Sequence, residues 1–488
     1  MRNKGDILLI SCYELGHQPF HLASLSALLE QAGYTPVCID TAVEPLTARA
    51  IRRARFIAIS VPMHTALRLG EQIAQRIRQN NPNAHICLYG LYALLNADHL
   101  LQEAIDSAIG GEYEMPLLNL VQALENGASI DVPGVHTRTA TSGPWVERTP
   151  FLVPQRQQLP ALTQYAHLQW NDELRVAGYT ESTRGCKHTC LHCPVVPIYH
   201  GRFFAVPKEI VLADIRTQVA QGAQHITFGD PDFWNGPTHA IRIIQAMHQE
   251  FPDVTFDATI KIEHLLKHRH LLPEMQANGC LFIVSAVESL NETVLQRLNK
   301  GHTAADIATA FALTEQAGIS LRPSLLPFTP WETLDSYIDL LDFFEEGHYI
   351  EHIDPVHLSI RLLVPPGSTL LDTTESNEWV GELDGAAYTY RWQHPDPHMD
   401  ELQKNVAALA ERAEGNNVDP LATFFQIKAS ALTAQGRDFS IEDALQRYGA
   451  HKVLPHLTES WFCCAEPTCN MSAPQTITLS SRKVANDK

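Results

Sequence analysis

Three cysteines in one short segment are the residues whose types and spacing point most directly to chemistry. Cys186, Cys190 and Cys193 are separated by three and then two residues. A loop this short can turn three sulfurs towards one centre, and thiolates select iron–sulfur clusters, zinc or copper(I). A structural zinc site usually has four ligands, and the fourth would have to be His188 or His192. With three cysteines alone, one iron of a 4Fe-4S cluster would stay open.

A second group of cysteines lies near the end of the sequence. Cys463 and Cys464 are adjacent and Cys469 follows five residues later, a spacing that suits a zinc knuckle poorly. Three thiolates do suit a thiophilic centre such as trivalent arsenic. A redox-active thiol pair, ligands of an auxiliary cluster and inert buried cysteines are the alternatives. The other cysteines lie in apolar strand contexts and are expected to be packing residues: Cys12, Cys38, Cys87 and Cys280.

The composition limits the partners of these thiols. A length of 488 residues suggests about three domains at roughly 150 residues each. The formal charge of -19, from 36 Lys and Arg against 55 Asp and Glu, argues against general binding to nucleic acid or anionic membrane. No signal peptide precedes Ile7–Ile10, and apolar runs stay below the roughly 18 residues of a membrane span. We therefore expect a cytoplasmic protein, in which free thiols indicate metal or redox chemistry.

The amino-terminal region is predicted to be an α/β domain over residues 1–125. Short apolar runs alternate with amphipathic stretches, which predicts a doubly wound parallel sheet. Ligands would lie beyond the carboxyl ends of the strands, near Cys12–His17, Pro62–Thr65 and Gly90. A packing or docking domain without a ligand is the alternative. The predicted segments are Ile7–Ser11, Leu22–Gln31, Pro36–Ile39, Phe56–Val61, Leu69–Arg78, Ile86–Gly90 and Asp106–Ile109.

The first cysteine group belongs to a second α/β region, after a linker at 126–170 that glycines and prolines interrupt. Between 171 and 372, strand-like and helix-like stretches alternate, which predicts an open, partial (β/α)6 barrel with chemistry at the carboxyl ends of its strands. The predicted strands are Tyr179–Thr183, Gln224–Phe228, Thr255–Ile260, Cys280–Ser285, Ser320–Leu325 and Pro355–Ile360. Residues 373–488 are predicted to be mainly helical, most clearly in Met399–Glu414 and Ile441–Tyr448.

The run from Glu181 to Pro194 resembles the signature of the radical SAM superfamily, CxxxCxxC in the loop after the first strand of a partial barrel. The resemblance covers about residues 175 to 370. It implies that the three cysteines of this loop hold a 4Fe-4S cluster. The open iron would bind S-adenosylmethionine (SAM), and an electron from a flavodoxin- or ferredoxin-type donor would break a carbon–sulfur bond. The family usually has an aromatic residue where this chain has His192, whose ring can still pack against adenine.

The resemblance also implies contacts to the methionine part of SAM. Gly229 and Asp230 stand where the family has a Gly-Gly-Glu-like turn, at which a carboxylate accepts from the ammonium group. Lys261 and Arg361 lie at or just past barrel strands and could meet the SAM carboxylate. An ordinary strand-end turn and structural ion pairs are the respective alternatives.

A ribose contact is implied by Glu288 and Ser289, which resemble the fourth-strand segment that touches the ribose in many members. A carboxylate at 288 suits a diol. Solvation at the surface is the competing interpretation.

The tail Cys463–Pro467, Cys-Cys-Ala-Glu-Pro, matches the CCAEP-tail radical SAM proteins letter for letter. That family is associated with arsinothricin biosynthesis, in which the 3-amino-3-carboxypropyl group of SAM is transferred to arsenite to give hydroxyarsinothricin. The resemblance therefore implies SAM and arsenite as substrates. Cys463, Cys464 and Cys469 would present the arsenite.

The amino-terminal sheet resembles the cobalamin-binding domain that precedes many radical SAM barrels. The Asp-x-His-x-x-Gly motif is absent, and many members bind cobalamin without it. A cobalamin-dependent radical SAM methyltransferase is therefore the alternative enzyme. An electron carrier or metal-binding module without turnover is the alternative from another class.

Overall fold

The computed structural model describes residues 1–416, 418–449 and 452–459. The chain divides into two compact units, with residues 1–166 in the first and the described residues from 167 to 459 in the second. None of the described helices combines the length and the apolar character that crossing a lipid bilayer requires.

The first unit is a sheet with helices on its faces, as predicted. Its strands are β1 (Ile7–Ser11), β2 (Val37–Asp40), β3 (Phe56–Ser60), β4 (His85–Tyr89), β5 (Ser107–Ile109) and β6 (Val135–Thr137). Its helices are α1 (Phe20–Gln31), α2 (Ala48–Arg53), α3 (His64–Asn80), α4 (Leu91–Leu95), α5 (Ala97–Leu100) and α6 (Glu114–Asn126). The order is β2-β1-β3-β4-β5-β6, in which β6 is antiparallel to β5 and the other pairs are parallel.

The burial of the first unit explains why its strands could be recognised. All residues of β1 and β3 are buried, as expected for parallel strands that are covered on both faces and read as continuous apolar runs. The order of the first five strands is that of a flavodoxin-like sheet, whose switch point lies between β1 and β3. The loop after β1 and the start of α3 therefore meet at the edge where a ligand would bind.

The second unit contains the partial barrel and a carboxyl-terminal helical layer. Its strands are β7 (His167–Trp170), β8 (Glu173–Thr180), β9 (Thr183–Gly185), β10 (Phe203–Ala205), β11 (His225–Phe228), β12 (Thr255–Thr259), β13 (Cys280–Glu288), β14 (Ser320–Leu325), β15 (Val380–Asp384), β16 (Thr389–Trp392) and β17 (His456–Leu457). Its first helices are α7 (Val196–Tyr199), α8 (Lys208–Ala220), α9 (Pro237–Glu250), α10 (Ile262–Lys267), α11 (Leu272–Ala277), α12 (Glu292–Arg297), α13 (Ala304–Gln316) and α14 (Leu334–Glu346). The others are α15 (Ser376–Trp379), α16 (Pro397–Gly415), α17 (Pro420–Ala434) and α18 (Ile441–Tyr448).

The barrel sheet has the order β14-β13-β12-β11-β8-β7-β17. Strands β8, β11, β12, β13 and β14 are parallel. The last four match predicted strands, whereas the first predicted strand, Tyr179–Thr183, overlaps β8 only at Tyr179–Thr180. Strand β7 is antiparallel to β8, and β17 is antiparallel to β7. The α/β partial barrel with a helical carboxyl-terminal region is therefore confirmed.

The sixth predicted strand, Pro355–Ile360, is wrong in its local structure. Residues Pro355–Ser359 form a 3-10 helix, and the parallel pairing is reduced to one bridge between Phe328 and Arg361. Proline lacks the N–H that a strand ladder needs and fits the first turn of a helix. The barrel therefore continues past β14 through this bridge and not through a full strand.

Candidate active site

The first cysteine group lies on the loop between β9 and β10, which pair antiparallel just beyond the carboxyl end of β8. Gly185, the last residue of β9, has a φ of 75°. A Cβ there would lie 2.5 Å from the ring of Tyr199 and 2.6 Å from the carbonyl oxygen of Arg202. Both the backbone conformation and the close approach of the returning chain therefore require glycine. Cys186 follows directly, so this turn determines where the first sulfur lies.

The three thiols of this loop fit a 4Fe-4S cluster as a donor set. Cys190 is buried, and Cys186 and Cys193 are partly exposed. The N–H of Cys193 donates to the carbonyl of Cys190 at 3.1 Å, which keeps the last two ligands in one turn. Burial, aided by the negative charge of Asp232, raises the pKa of the Cys186 thiol to about 12. Such a thiol ionises when a bound cation compensates its charge, as coordination to iron would do.

Asn235 fixes the start of the cysteine loop from the neighbouring strand end. Its amide nitrogen donates to the carbonyl of Gly185 at 3.1 Å, and its amide oxygen accepts from the backbone N–H of Lys187 at 3.2 Å. The side chain is buried and thus clamps the backbone on both sides of Cys186. Sequence reasoning missed Asn235, since a lone asparagine after a strand carries no distinctive signal.

Asp230 ties the end of β11 to the residues that lead into the cysteine loop. Its carboxylate accepts from the N–H of Ser182 at 2.9 Å, from the hydroxyl of Ser182 at 2.7 Å and from the hydroxyl of Thr183 at 2.6 Å. Burial raises its pKa to about 7, against the hydrogen bonds from Thr183 and Ser182, which lower it. A Cβ on Gly229 would lie 1.9 Å from the hydroxyl of Tyr179, so this glycine makes room for the tyrosine. The predicted contact of both residues to the SAM ammonium stays a prediction.

Glu288 is the most unusual carboxylate of the second unit. It is fully buried at the end of β13, and its φ of 68° is rare for a residue with a side chain. Its Oε1 accepts from the ammonium of Lys300 at 2.9 Å and lies 3.2 Å from Nε2 of His192. Its Oε2 has no hydrogen-bond partner among the described residues. Backbone strain together with a free acceptor is typical of a ligand-contacting position.

The charge balance around Glu288 keeps it ionised. Burial raises its pKa, but the charges and hydrogen bonds of Lys300 and His192 outweigh this and lower the pKa to about 2. Lys300 comes from the segment after α12, and His192 stands before the third cysteine. Sequence reasoning singled out Glu288 and His192 separately but did not predict that they meet.

Two further predicted SAM contacts have protein partners of their own. The hydroxyl of Ser289 donates to Oε2 of the buried Glu332 at 2.7 Å. The ammonium of Lys261 lies 3.2 Å from Oε2 of Glu263 and 3.4 Å from Nδ1 of His188, beside the cysteine loop. The structure thus places Lys261 next to the cysteine loop, and contacts of either residue to SAM stay predictions.

Arg361 is held in a structural arrangement. Its guanidinium donates to Asp400 at 2.6 Å and to the carbonyl of Trp392 at 2.8 Å. It also stacks 3.5 Å from the centroid of the Trp392 ring. The ion pair that was the alternative interpretation is therefore present, and a contact to the SAM carboxylate stays a prediction.

Residues at the strand-end edge of the first unit contact one another. Glu14 accepts from the N–H of Phe20 at 3.0 Å and lies 3.2 Å from Nδ1 of His21. A Cβ on Gly90 would lie 2.8 Å from the carbonyl oxygen of Val61. This glycine therefore allows the close approach of the two strand ends. Binding of cobalamin by this unit stays a prediction.

The predicted arsenite-binding cysteines, Cys463, Cys464 and Cys469, lie outside the described residues. Their role stays a prediction.

Comparison with known proteins identifies the middle of the chain. Residues 180–344, from the end of β8 to α14, match the family model of the Radical SAM superfamily. A tRNA-2-methylthio-N(6)-dimethylallyladenosine synthase of Desulfosudis oleivorans is 28% identical over 292 residues, which are 58% of this chain and 58% of the relative. The uS12 methylthiotransferase RimO of Geobacter sulfurreducens is 28% identical over 198 residues, 37% of this chain and 42% of the relative. The chain thus spans about half the length of these relatives.

Two solved structures share the fold over most of the chain. The cobalamin-dependent radical SAM enzyme OxsB with aqua-cobalamin aligns with a TM-score of 0.67 at 16% identity, over 88% of this chain and 72% of that one. The radical SAM methyltransferase TsrM of Kitasatospora setae, with cobalamin and a [4Fe-4S] cluster, aligns with a TM-score of 0.55 at 17% identity, over 70% of each chain. At this identity the likeness shows the fold alone.

Proposed function

Because residues 180–344 match the Radical SAM family model, we propose that this chain is a radical SAM enzyme that cleaves SAM reductively and transfers the 3-amino-3-carboxypropyl group to trivalent arsenic. The observation that carries the SAM chemistry is the loop of Cys186, Cys190 and Cys193 at the carboxyl edge of the parallel strands. A 4Fe-4S cluster, when bound there, supplies the electron that breaks a carbon–sulfur bond of SAM.

The residues around the loop have separate tasks in this proposal. Asn235 and Asp230 hold the backbone on both sides of the first sulfur, so the ligands are positioned before the cluster binds. Glu288, kept ionised by Lys300, offers its unpartnered oxygen to the ribose diol. Since a carboxylate accepts two hydroxyl hydrogen bonds, it would fix the sugar and with it the sulfonium.

The acceptor half of the proposal comes from the tail sequence. Cys463, Cys464 and Cys469 supply three soft thiolates, the donor set that trivalent arsenic prefers. In the overall transfer, the bond between sulfur and the 3-amino-3-carboxypropyl carbon breaks and methylthioadenosine leaves. The lone pair of arsenic becomes the new carbon–arsenic bond, and one proton is lost as arsenic becomes pentavalent. No net electron is consumed, so the reductant is needed in catalytic amount.

The test is a product analysis on the full chain. Reduced, cluster-loaded protein with SAM and arsenite should give methylthioadenosine and a carbon–arsenic product in equal amounts. Formation of 5'-deoxyadenosine alone would refute the transfer chemistry. Cys463→Ala should abolish the arsenic product and leave the absorbance of the cluster unchanged, whereas Cys280→Ala, which removes a buried strand cysteine, should keep both. An active Cys463→Ala variant would remove the tail from the proposal.

A cobalamin-dependent methyltransferase is the second candidate. The observation in its favour is the flavodoxin-like first unit together with an alignment to OxsB over 88% of the chain. It predicts that purified protein carries a corrinoid and forms S-adenosylhomocysteine. Protein that is free of corrinoid, forms no S-adenosylhomocysteine when cobalamin is added and yields methylthioadenosine would exclude it.

A further inference from the structure

A second cluster of metal-ligating side chains includes one residue of the cysteine loop but none of the three cysteines. His188 belongs to the loop, Asp232 follows β11, and His264 is in α10. Nε2 of His188 lies 2.9 Å and Nδ1 of His264 lies 2.6 Å from the same carboxylate oxygen, Oδ2 of Asp232. The two nitrogens are 3.4 Å apart. Asp232 and His264 are buried, and His188 is nearly so.

The triangle of these three atoms has the size that a metal ion requires. For sides of 2.9, 2.6 and 3.4 Å, a point about 1.2 Å above the plane is about 2.1 Å from all three atoms, the usual metal–nitrogen and metal–oxygen distance. The angles at that point would be about 75° to 110°, close to one face of an octahedron. Two histidines and one carboxylate in this arrangement leave the opposite positions for water or another ligand.

The surroundings of the triangle hold its members in place. Oδ1 of Asp232 accepts from the N–H of Trp234 at 2.9 Å, so Oδ2 faces the histidines. Nδ1 of His188 lies 3.7 Å from Oε2 of Glu263, the kind of carboxylate that orients a metal-bound histidine. The same nitrogen lies 3.4 Å from the ammonium of Lys261, which is already paired with Glu263 at 3.2 Å. Lys261 would therefore stay on Glu263 when Nδ1 of His188 carries a proton.

We propose that His188, Asp232 and His264 bind one divalent first-row transition-metal ion, such as Fe²⁺, Mn²⁺ or Zn²⁺. The site is separate from the three cysteines and independent of the reaction proposed above. The bound metal would join the cysteine loop to the ends of β11 and β12. It would also place a positive charge near Cys186, whose thiol pKa is raised in part by the negative charge of Asp232. A plain hydrogen-bonded network of the three side chains is the alternative that the experiment must exclude.

The experiment is a Mn²⁺ titration of the full chain with its cluster loaded and oxidised, monitored by the electron paramagnetic resonance of free Mn²⁺. Mn²⁺ is the probe because zinc would also bind thiols and because iron and cobalt could come from other cofactors. We expect one Mn²⁺ per chain. His264→Gln should weaken binding at least tenfold, the lower limit of losses seen even for outer-shell changes. His268→Gln, a neighbouring histidine in ring contact with His264 but outside the triangle, should bind as the wild type does.

Three further measurements make the outcome decisive. Iron per chain and circular dichroism should be the same in the wild type and in both variants. Pulsed magnetic resonance of the bound Mn²⁺ in the wild type should show coupling to two imidazole nitrogens, a result that does not depend on any variant. The proposal is overturned if no Mn²⁺ binds, if His264→Gln folds and binds equally well, or if the nitrogen couplings are missing.

Discussion

Removing Lys300 should destabilise the second unit, because it leaves a buried carboxylate without its main counter-ion. Both side chains of the Lys300–Glu288 pair are almost completely buried, at 2% and 1% exposure. The lowering of the Glu288 pKa from 4.5 to about 2 corresponds to a preference for the ionised form of about 3 kcal/mol. Breaking a buried pair by removing one partner costs about 3 to 5 kcal/mol. For Lys300→Met we therefore expect a loss of about 3 kcal/mol, or about 6–10 °C in melting temperature.

The loss should depend on pH with a definite sign. In the wild type, Glu288 is ionised throughout pH 5–8, because its folded-state pKa is about 2; its contribution disappears only as pH falls from 4.5 towards 2. In Lys300→Met, burial dominates and raises the pKa. Protonating Glu288 in the folded variant then costs little free energy at pH 5 and more at pH 8. The difference between variant and wild type should grow as pH rises from 5 to 8.

Tryptophan fluorescence is the suitable readout, since five of the seven tryptophans lie between residues 167 and 459. Melts should be run anaerobically on cluster-loaded protein with equal iron content. Lys300→Arg keeps the charge and should lose less than half as much stability as Lys300→Met. Lys267→Met, at an exposed position, should change the unfolding free energy by less than about 0.5 kcal/mol. A loss in Lys300→Met below about 1 kcal/mol, or one that does not change with pH, would refute the reasoning.

Three other changes have predictable results. Gly185→Ala should reduce iron per chain after reconstitution, because φ is 75° and Tyr199 and Arg202 block a Cβ. Gly222→Ala, with a φ of 99° but open space around it, should keep the iron content, and equal iron contents in the two variants would contradict the prediction. Arg322→Met should lower the unfolding free energy by about 1–3 kcal/mol, because it removes the buried partner of the partly buried Asp354 at 2.6 Å. Denaturant melts with Arg322→Lys as control measure it. Burial lowers the pKa of His352 to about 4, so the unfolding free energy of the second unit should fall by up to about 2 kcal/mol between pH 6.5 and 5. The fall should be smaller in His352→Asn, and a variant with the same pH profile as the wild type would contradict this.

The fold was predictable wherever an element had a clear period or a continuous apolar run. Strand β14 at Ser320–Leu325 and helix α18 at Ile441–Tyr448 match their predictions residue for residue. Helix α17, Pro420–Ala434, lies in the region predicted to be mainly helical, but its bounds were not predicted because apolar and small residues surround its axis and about half of its residues are buried. Without a polar face, a helix has no 3.6-residue signal to detect. The hairpin of β15 and β16 was missed in a region predicted to be mainly helical, since short exposed strands carry little pattern.

The candidate site was predictable only in part, for a related reason. Cys186, Cys190 and Cys193 are close together in the sequence, so their spacing is recognisable without a structure. Glu288 and Lys300 are 12 residues apart and Glu288 and His192 are 96 apart, so their meeting depends on how the ends of strands close on the loop. No single-chain pattern contains that information.

The structure also changes how the predicted residues divide between binding and support. Asp230 and Arg361 were predicted from the resemblance as contacts to SAM, yet each already satisfies its charge or its hydrogen bonds within the protein. Glu288 alone among the predicted carboxylates keeps an oxygen without a partner in the described part of the chain, and it keeps that oxygen in a strained backbone. A fold preserves such an arrangement when a ligand completes it. Among the predicted contacts, Glu288 is therefore the position where adding SAM should produce the largest change in pKa and in local stability.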